Sequence, residues 1–168
     1  MTANLSLQTP RLKLVLKTPQ KVRATIETMD ASEKAQLSAD WLARLHASTE
    51  PDPWVHGFSM LQIDTDITVG QCGFKGPPDT DGVVEIAYGV ASDQGGKGYA
   101  TEAARALVAF AFGIDQVVLV RAHTLPAFDA SKRVLAKCGF QYVGELIDPE
   151  DGLVWRFETP RPTKVTRI

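Results

Sequence analysis

The sequence predicts a mixed α/β fold, a central sheet flanked by helices, and three stretches carry that prediction. Residues 11–17 alternate Leu12, Leu14 and Leu16 with Arg11, Lys13 and Lys17, the period-two pattern of a strand with one wet face. Residues 83–90 repeat the alternation. Bulky Val84, Ile86, Tyr88 and Val90 share one face, while Glu85, Ala87 and Gly89 share the other, where small residues leave room for something to lie. Residues 99–112 set Ala100, Ala103, Ala104, Leu107 and Ala111 on one side of a helix, an apolar face of little bulk that can pack close to a sheet.

The other elements fall around these. Residues 11–17 are the first strand. Residues 20–29 and 32–48 favour two helices, the second with Leu37, Trp41, Leu42 and Leu45 three or four apart on one face. The polar, proline-bearing residues 49–53 end them. Residues 57–64 and 68–75 read as a hairpin turning at 64–67, and Pro77, Pro78, Asp79, Asp81 and Gly82 make a loop before the strand at 83–90. Gly113 is the stop of the helix at 99–112. Residues 117–122 form a short strand, residues 129–138 a helix closed by Gly139, and residues 140–146 with 153–157 a final hairpin. No repeat, low-complexity run or linker interrupts this order, so residues 1–168 are read as one domain.

Composition narrows the function classes. A hydrophobic share of 44% and a charged share of 23% are ordinary globular values and argue against a disordered or fibrous chain. The net charge of -2, with Lys and Arg dispersed among the acids, offers no basic stripe for nucleic acid. Cys72 and Cys138 stand outside any Cys-x-x-Cys spacing, which speaks against a disulfide framework and suits a reducing cytoplasm. His46, His56 and His123 lack metal-ligand spacing, so no metal is expected. Residues 1–10 carry no basic segment followed by an apolar run, and no stretch nears the ~20 apolar residues that cross a bilayer. A cytoplasmic location without a membrane partner is the expectation.

The segment Gln94-Gly95-Gly96-Lys97-Gly98-Tyr99-Ala100-Thr101 puts three glycines just before a helix. Glycine lets backbone approach a ligand, and the free N–H groups of a first helical turn favour an anion such as a pyrophosphate. On the glycines alone, a tight turn that binds nothing stays open. A P-loop is disfavoured because Lys97 is followed by Gly98, and a dinucleotide fingerprint because Thr101 stands where Gly or Ala is required.

Five segments together resemble the GNAT (Gcn5-related N-acetyltransferase) family, in the branch of the ribosomal-protein-alanine N-acetyltransferases. They are Thr9-Pro10-Arg11-Leu12-Lys13-Leu14, Gly73-Phe74-Lys75-Gly76-Pro77-Pro78, and Glu85-Ile86-Ala87-Tyr88-Gly89-Val90 running into Gly96-Lys97-Gly98-Tyr99-Ala100-Thr101-Glu102-Ala103. Ala122-His123-Thr124 leading to Ser131-Lys132-Arg133-Val134-Leu135-Ala136-Lys137-Cys138-Gly139-Phe140 follows, and Asp148-Pro149-Glu150-Asp151-Gly152 closes the set. All but about residues 20–49 is covered. The resemblance implies a splayed, mixed sheet of about seven strands flanked by helices. It implies acetyl-CoA as cosubstrate and an amine acceptor, either a small molecule or a protein N-terminus. The pantetheine arm would lie along Ala87, Tyr88, Gly89 and Val90, and the pyrophosphate on the backbone of Gly95, Gly96, Lys97, Gly98, Tyr99, Ala100 and Thr101. Two positions depart from the family pattern: Gly95 replaces a Gln or Arg, with Gln94 one step early, and Phe128 replaces an Asn that steadies the cofactor arm beside Ser131.

For the chemistry, an ammonium ion must lose a proton before it can attack, and Glu85 is the candidate base. An acid that merely pairs with a cation is its alternative. Backbone N–H groups near Val90 can serve the oxygen of the tetrahedral intermediate. Many relatives have a Tyr as general acid where Leu135 stands, which leaves Ser131, a residue equally suited to local hydrogen bonding. Trp41 and Trp54 flank the segment where the family builds its acceptor pocket. A catalytically silent acyl-CoA-binding module and a protein-binding scaffold are the competing classes; a monomer and a homodimer both fit.

Overall fold

The computed structural model describes residues 5–149 and 151–163, so Glu150 of the closing motif and the first four residues of the N-terminal reading lie outside the described residues. Chain order is β1 (Ser6–Gln8), β2 (Leu12–Leu16), α1 (Pro19–Glu27), α2 (Ala31–Ala35), α3 (Ala39–Ala47), β3 (Phe58–Gln62), β4 (Thr68–Phe74), β5 (Val83–Val90), α4 (Tyr99–Phe112), β6 (Leu119–Thr124), α5 (Asp129–Lys137), β7 (Gln141–Asp148) and β8 (Gly152–Pro160). A single 3-10 turn, Ser92–Gln94, precedes the glycine loop. The strands form one sheet in the order β1-β2-β3-β4-β5-β6-β8-β7. All neighbours are antiparallel except β5 and β6, which run parallel because α4 crosses over between them.

The predicted seven strands are present, with β1 added: Leu7 pairs with Leu14 and extends the sheet by one short edge. The predicted second helix is two helices. Asp30 caps α2 reciprocally with Glu33, the helix stops at Gln36, and Ser38 restarts the chain as α3 by accepting from the Trp41 amide. These local side-chain bonds compete with continuation of one helix.

Alternation in β2 buries Leu12, Leu14 and Leu16, and the even face of β5 buries Val84 and Ile86. Against this face lies α4, with Ala103, Ala104, Leu107 and Ala111 fully buried, so the low-bulk stripe lets the helix sit close to the strands. Each of the large aliphatic side chains in this core stabilises the fold by roughly 1.5–3 kcal/mol. A smaller cluster of Val22, Leu45 and Val55 anchors α1 and α3, and the Trp41 indole donates to the Val55 carbonyl at 2.7 Å.

Strand register sets up the site. Pairing of β5 with β6 runs from Val83 with Leu119 to Ile86 with Ala122 and stops there. On its other side β5 stays paired with β4 as far as Val90, and β6 stays paired with β8 as far as Thr124. Beyond Ile86 the two central strands therefore part. Glu85 and Ala91 commit backbone groups to β4 (Lys75 N–H to Glu85 O, 2.9 Å; Ala91 N–H to Val69 O, 2.8 Å). Because backbone direction alternates along a strand, Tyr88 and Val90 turn theirs into the gap.

Candidate active site

The loop after β5 presents a row of donors. No acceptor among the described residues takes the backbone N–H groups of residues 95–101; the first intrahelical bond of α4 is Glu102 N–H to Gly98 O at 3.1 Å. Gly96 at φ 76° and Gly98 at φ 85° hold left-handed backbone that turns these donors outward, a conformation other residues adopt only with strain. At Gly98 a Cβ would also meet Arg11 Nη2 at 3.0 Å. Arg11 stacks over the Tyr99 ring at 4.8 Å and donates to the Lys97 carbonyl at 2.6 Å, so the loop is braced from β2.

These groups line a cleft of about 340 Å³. Of the residues expected to hold the cofactor, Tyr88, Gly89, Val90, the whole run 95–101 and Ser131 come together there. Gln94 joins them, carried into the wall by the 3-10 turn, and its side chain accepts from Lys97 Nζ at 3.0 Å. Two expected residues do not line the cleft. Ala87 lines a neighbouring cavity of about 290 Å³ instead. Phe128 is the N-cap of α5, is 54% exposed and offers no side-chain acceptor, so its ring has no reason to turn inward. Leu135 is fully buried in the core and unavailable for chemistry. The Tyr88 hydroxyl donates to the Ser131 carbonyl at 3.4 Å, and burial pushes its pKa up to about 12.

Glu85 sits apart from Ser131, in a third cavity of about 450 Å³ walled by Leu37, Trp41, Phe74, Lys75 and Asp151. Its Oε2 meets Lys75 Nζ at 3.0 Å and His123 Nδ1 at 2.9 Å. Arg156 Nε donates to His123 Nε2 at 3.0 Å, which leaves the ring proton on Nδ1, where it is donated to Glu85. Burial pushes the Glu85 carboxyl up, but the His123 hydrogen bond and the Lys75 ammonium outweigh it and hold the group below the usual range. Lys75 is raised in turn, since Glu85 overcomes the effect of its burial. The chain Lys75, Glu85, His123, Arg156 thus crosses β5, β6 and β8 on the face opposite α4. The sequence alone does not join His123 to this site, because only the strand register brings positions 85, 123 and 156 side by side.

The three cavities share walls. Tyr88 belongs to the first and second, Trp41 and Phe74 to the second and third. One further group stands out: Thr124 Oγ1, at the end of β6 where the strands part, is buried without a hydrogen-bond partner among the described residues. Among those residues there is no group of three or more His, Cys, Asp or Glu side chains able to hold a metal, and no helix long and apolar enough to cross a membrane.

Residues 9–141 match the acetyltransferase (GNAT) domain, and the chain belongs to that family. Among curated proteins it is 32% identical over 93 residues to an uncharacterized N-acetyltransferase of Bacillus licheniformis, covering 55% of this chain and 52% of the relative. The match therefore spans about half the length of that relative. Solved structures share the fold. An acetyltransferase from Bacillus anthracis superposes with TM-score 0.68 at 19% identity, covering 94% of this chain and 99% of the other. The aminoglycoside acetyltransferase AAC(6')-Ib, solved with coenzyme A and kanamycin, gives TM-score 0.61 at 23% identity, covering 89% and 95%.

Proposed function

We propose that the chain transfers an acetyl group from acetyl-CoA to a primary amine, a small molecule or a protein N-terminus, by direct attack and without a metal. The observation that carries this reading is the shared walls of the cavities, which would let one extended guest run from the glycine loop past Tyr88 and along Trp41 and Phe74 to Glu85. The loop amides and the α4 N-terminus would hold the pyrophosphate. The free backbone groups of Tyr88 and Val90 would hold the pantetheine amides in the gap between β5 and β6, and a Val90 N–H turned into that gap can polarise the thioester carbonyl. The bound thioester supplies the acyl group and a thiolate that leaves readily, its thiol having a pKa of roughly 8.5.

Glu85 is ionised at neutral pH and would attract the acceptor ammonium and take its proton, directly or through water. His123 and Lys75 hold that carboxylate in one orientation, and the aromatic walls of Trp41 and Phe74 suit a cationic guest. Ser131 and Tyr88 are the hydroxyl-bearing residues of this cleft that would serve the departing sulfur; burial keeps the Tyr88 hydroxyl protonated. The free thiols of Cys72 and Cys138 fit work in the cytoplasm.

Calorimetric titration with acetyl-CoA, followed by thiol release in the presence of an amine panel, tests the reading. Saturable binding with amine-dependent thiol release supports it. Binding with no release for any amine would instead favour a silent acyl-CoA-binding module, to which the ion pair of Glu85 with Lys75 lends itself. No binding would leave a scaffold.

A further inference from the structure

The transfer chemistry leaves the cation of the middle cavity unused. Lys17, just past the end of β2, lines that cavity of about 290 Å³ together with Gln71, Gly73 and Ala87. Its ammonium donates to Gln71 Oε1 on β4. No carboxylate of a described residue lies within ion-pair distance of it, and no Asp or Glu lines the cavity. His56 in the same wall is occupied elsewhere: its Nδ1 accepts from the Asp52 amide at 2.8 Å and its Nε2 meets Ser48 Oγ at 2.9 Å. Burial pushes the Lys17 pKa down, and the Lys21 ammonium pushes it the same way. A neutral amide is a weak match for a half-buried ammonium, and an anion seated in the cavity would offset both effects.

The strand register says which molecule would bring that anion. Gln71 pairs with Gly89, four residues along β5 from Glu85, which is roughly 13 Å at the rise of a strand. Trp41 and Phe74 belong both to the cavity of Lys17 and to the cavity of Glu85. One guest can therefore lie along the two rings with a cationic end at Glu85 and an anionic end at Lys17. With a charge-assisted contact at each end, its two charges stand roughly 7 Å apart. A free α-amino acid carries them closer together, a plain alkylamine has no second charge, and a protein N-terminus continues as neutral backbone. A short ω-amino acid or a dipeptide has both charges at that spacing.

We infer that the acceptor is a small zwitterion, an amine with a carboxylate several bonds away, and that Lys17, supported by Gln71, binds the carboxylate while Glu85 receives the ammonium. The inference rests on the transfer reading above and names its acceptor class. Steady-state thiol release with acetyl-CoA compares δ-aminovalerate and glycylglycine with their primary amides, on the wild type, Lys17→Met and Lys17→Arg. A charge-assisted contact predicts that the wild type favours at least one acid over its amide by about tenfold in kcat/KM at low salt, chiefly through KM, with the preference shrinking as salt is added. Lys17→Met brings the ratio to near one and Lys17→Arg keeps most of it, a split that a lysine serving only to tie β2 to β4 would not produce. The ratio does not depend on the fraction of folded enzyme, so it stays readable in a destabilised variant. No preference in the wild type, or the same preference in Lys17→Met, overturns the inference and leaves the transfer reading standing. A Lys17-dependent preference for succinyl-CoA over acetyl-CoA, indifferent to the acceptor, assigns the carboxylate to the acyl group and also overturns it. Absence of thiol release with every amine overturns both.

Discussion

Arg11 forms an ion pair with Glu102 that joins the start of β2 to the first turn of α4, and the same guanidinium holds the Lys97 carbonyl of the glycine loop. Thr9 adds a hydroxyl bond to Glu102 at 2.7 Å, and the Arg11 amide another at 3.1 Å. Two residues of the N-terminal family segment, Thr9 and Arg11, thus act on the glycine loop and the start of α4, some ninety positions away. Arg11→Ala should weaken acetyl-CoA binding about three- to tenfold by loosening the cradle, while lowering stability by only about 1 kcal/mol because the pair is half exposed. Calorimetry and thermal melts check the two effects separately, and loss of stability without loss of affinity would remove the bracing role.

Glu102 also gives a pH dependence. Burial raises its pKa, but the Thr9 and Arg11 bonds outweigh it and the net shift is downward. A carboxyl depressed in the folded state contributes stability that is present above its unfolded value near 4.3 and is lost as pH falls through the folded value. Glu85 behaves alike, being depressed by His123 and Lys75 against its burial. Urea midpoints should therefore fall between about pH 5 and pH 3 in the wild type, and less steeply in a Glu102→Gln variant. Parallel slopes would show that Glu102 is not the group responsible.

Glu85→Gln should lower turnover roughly 100-fold and leave the dissociation constant of acetyl-CoA within about twofold, since the carboxylate lies outside the cofactor cleft. His123→Asn keeps an N–H donor near the position of Nδ1 and should retain more activity than His123→Ala, which frees the carboxylate to rotate and raises its pKa. Steady-state kinetics at several pH values would show the acid limb moving upward in the Ala variant. An unmoved limb would mean that Glu85 does not carry the proton.

Ser131→Ala and Tyr88→Phe divide the remaining proton-transfer duty. If a hydroxyl assists the departing thiolate, one of the two variants should lose about 10- to 100-fold in the rate of thiol release with acetyl-CoA affinity nearly unchanged. Equal rates in both would show that the thiolate leaves unassisted.

Thr124→Val removes a buried hydroxyl that has no partner among the described residues. Deleting an unsatisfied polar atom at equal volume should stabilise the ligand-free protein by about 1 kcal/mol, seen as a higher melting temperature. A fall instead would reveal a partner for the hydroxyl, and a fall only in the presence of acetyl-CoA would make that partner the ligand.

Much of this architecture is written in short-range pattern. The alternation of Leu12, Leu14 and Leu16, the two-faced strand at 83–90 and the small-residue helix at 99–112 each follow from local period, and the structure keeps all three. The short β1 is hard to read because the alternation of Leu5 and Leu7 with Ser6 and Gln8 spans too few residues to stand alone, and the register with β2 orders it. The break at residues 36–38 depends on caps whose side chains would also suit a helix surface. In the site, the glycine loop is legible because its backbone demand is local. The contacts of His123 with Glu85 and with Arg156, and the meeting of Arg105 with Lys137, depend on strand and helix placement over more than thirty positions. Gln94 is the instructive case: counted along the chain it stands one place early, and a single 3-10 turn puts it back in the cleft wall.

The parting of β5 from β6 after Ile86 and Ala122 gives this molecule a sheet edge in its interior. Edges at the rim of a sheet invite other chains to add a strand, and proteins shield them for that reason. Here the edge is short and lies beside the start of α5, where the Ser131 carbonyl accepts from Tyr88, and the cosubstrate we place there would complete the ladder as a missing strand does, amide by amide. Ligand and fold would then be continuous: on the proposed function, part of the hydrogen bonding that finishes this sheet would not be encoded in the chain but would arrive with the molecule it works on.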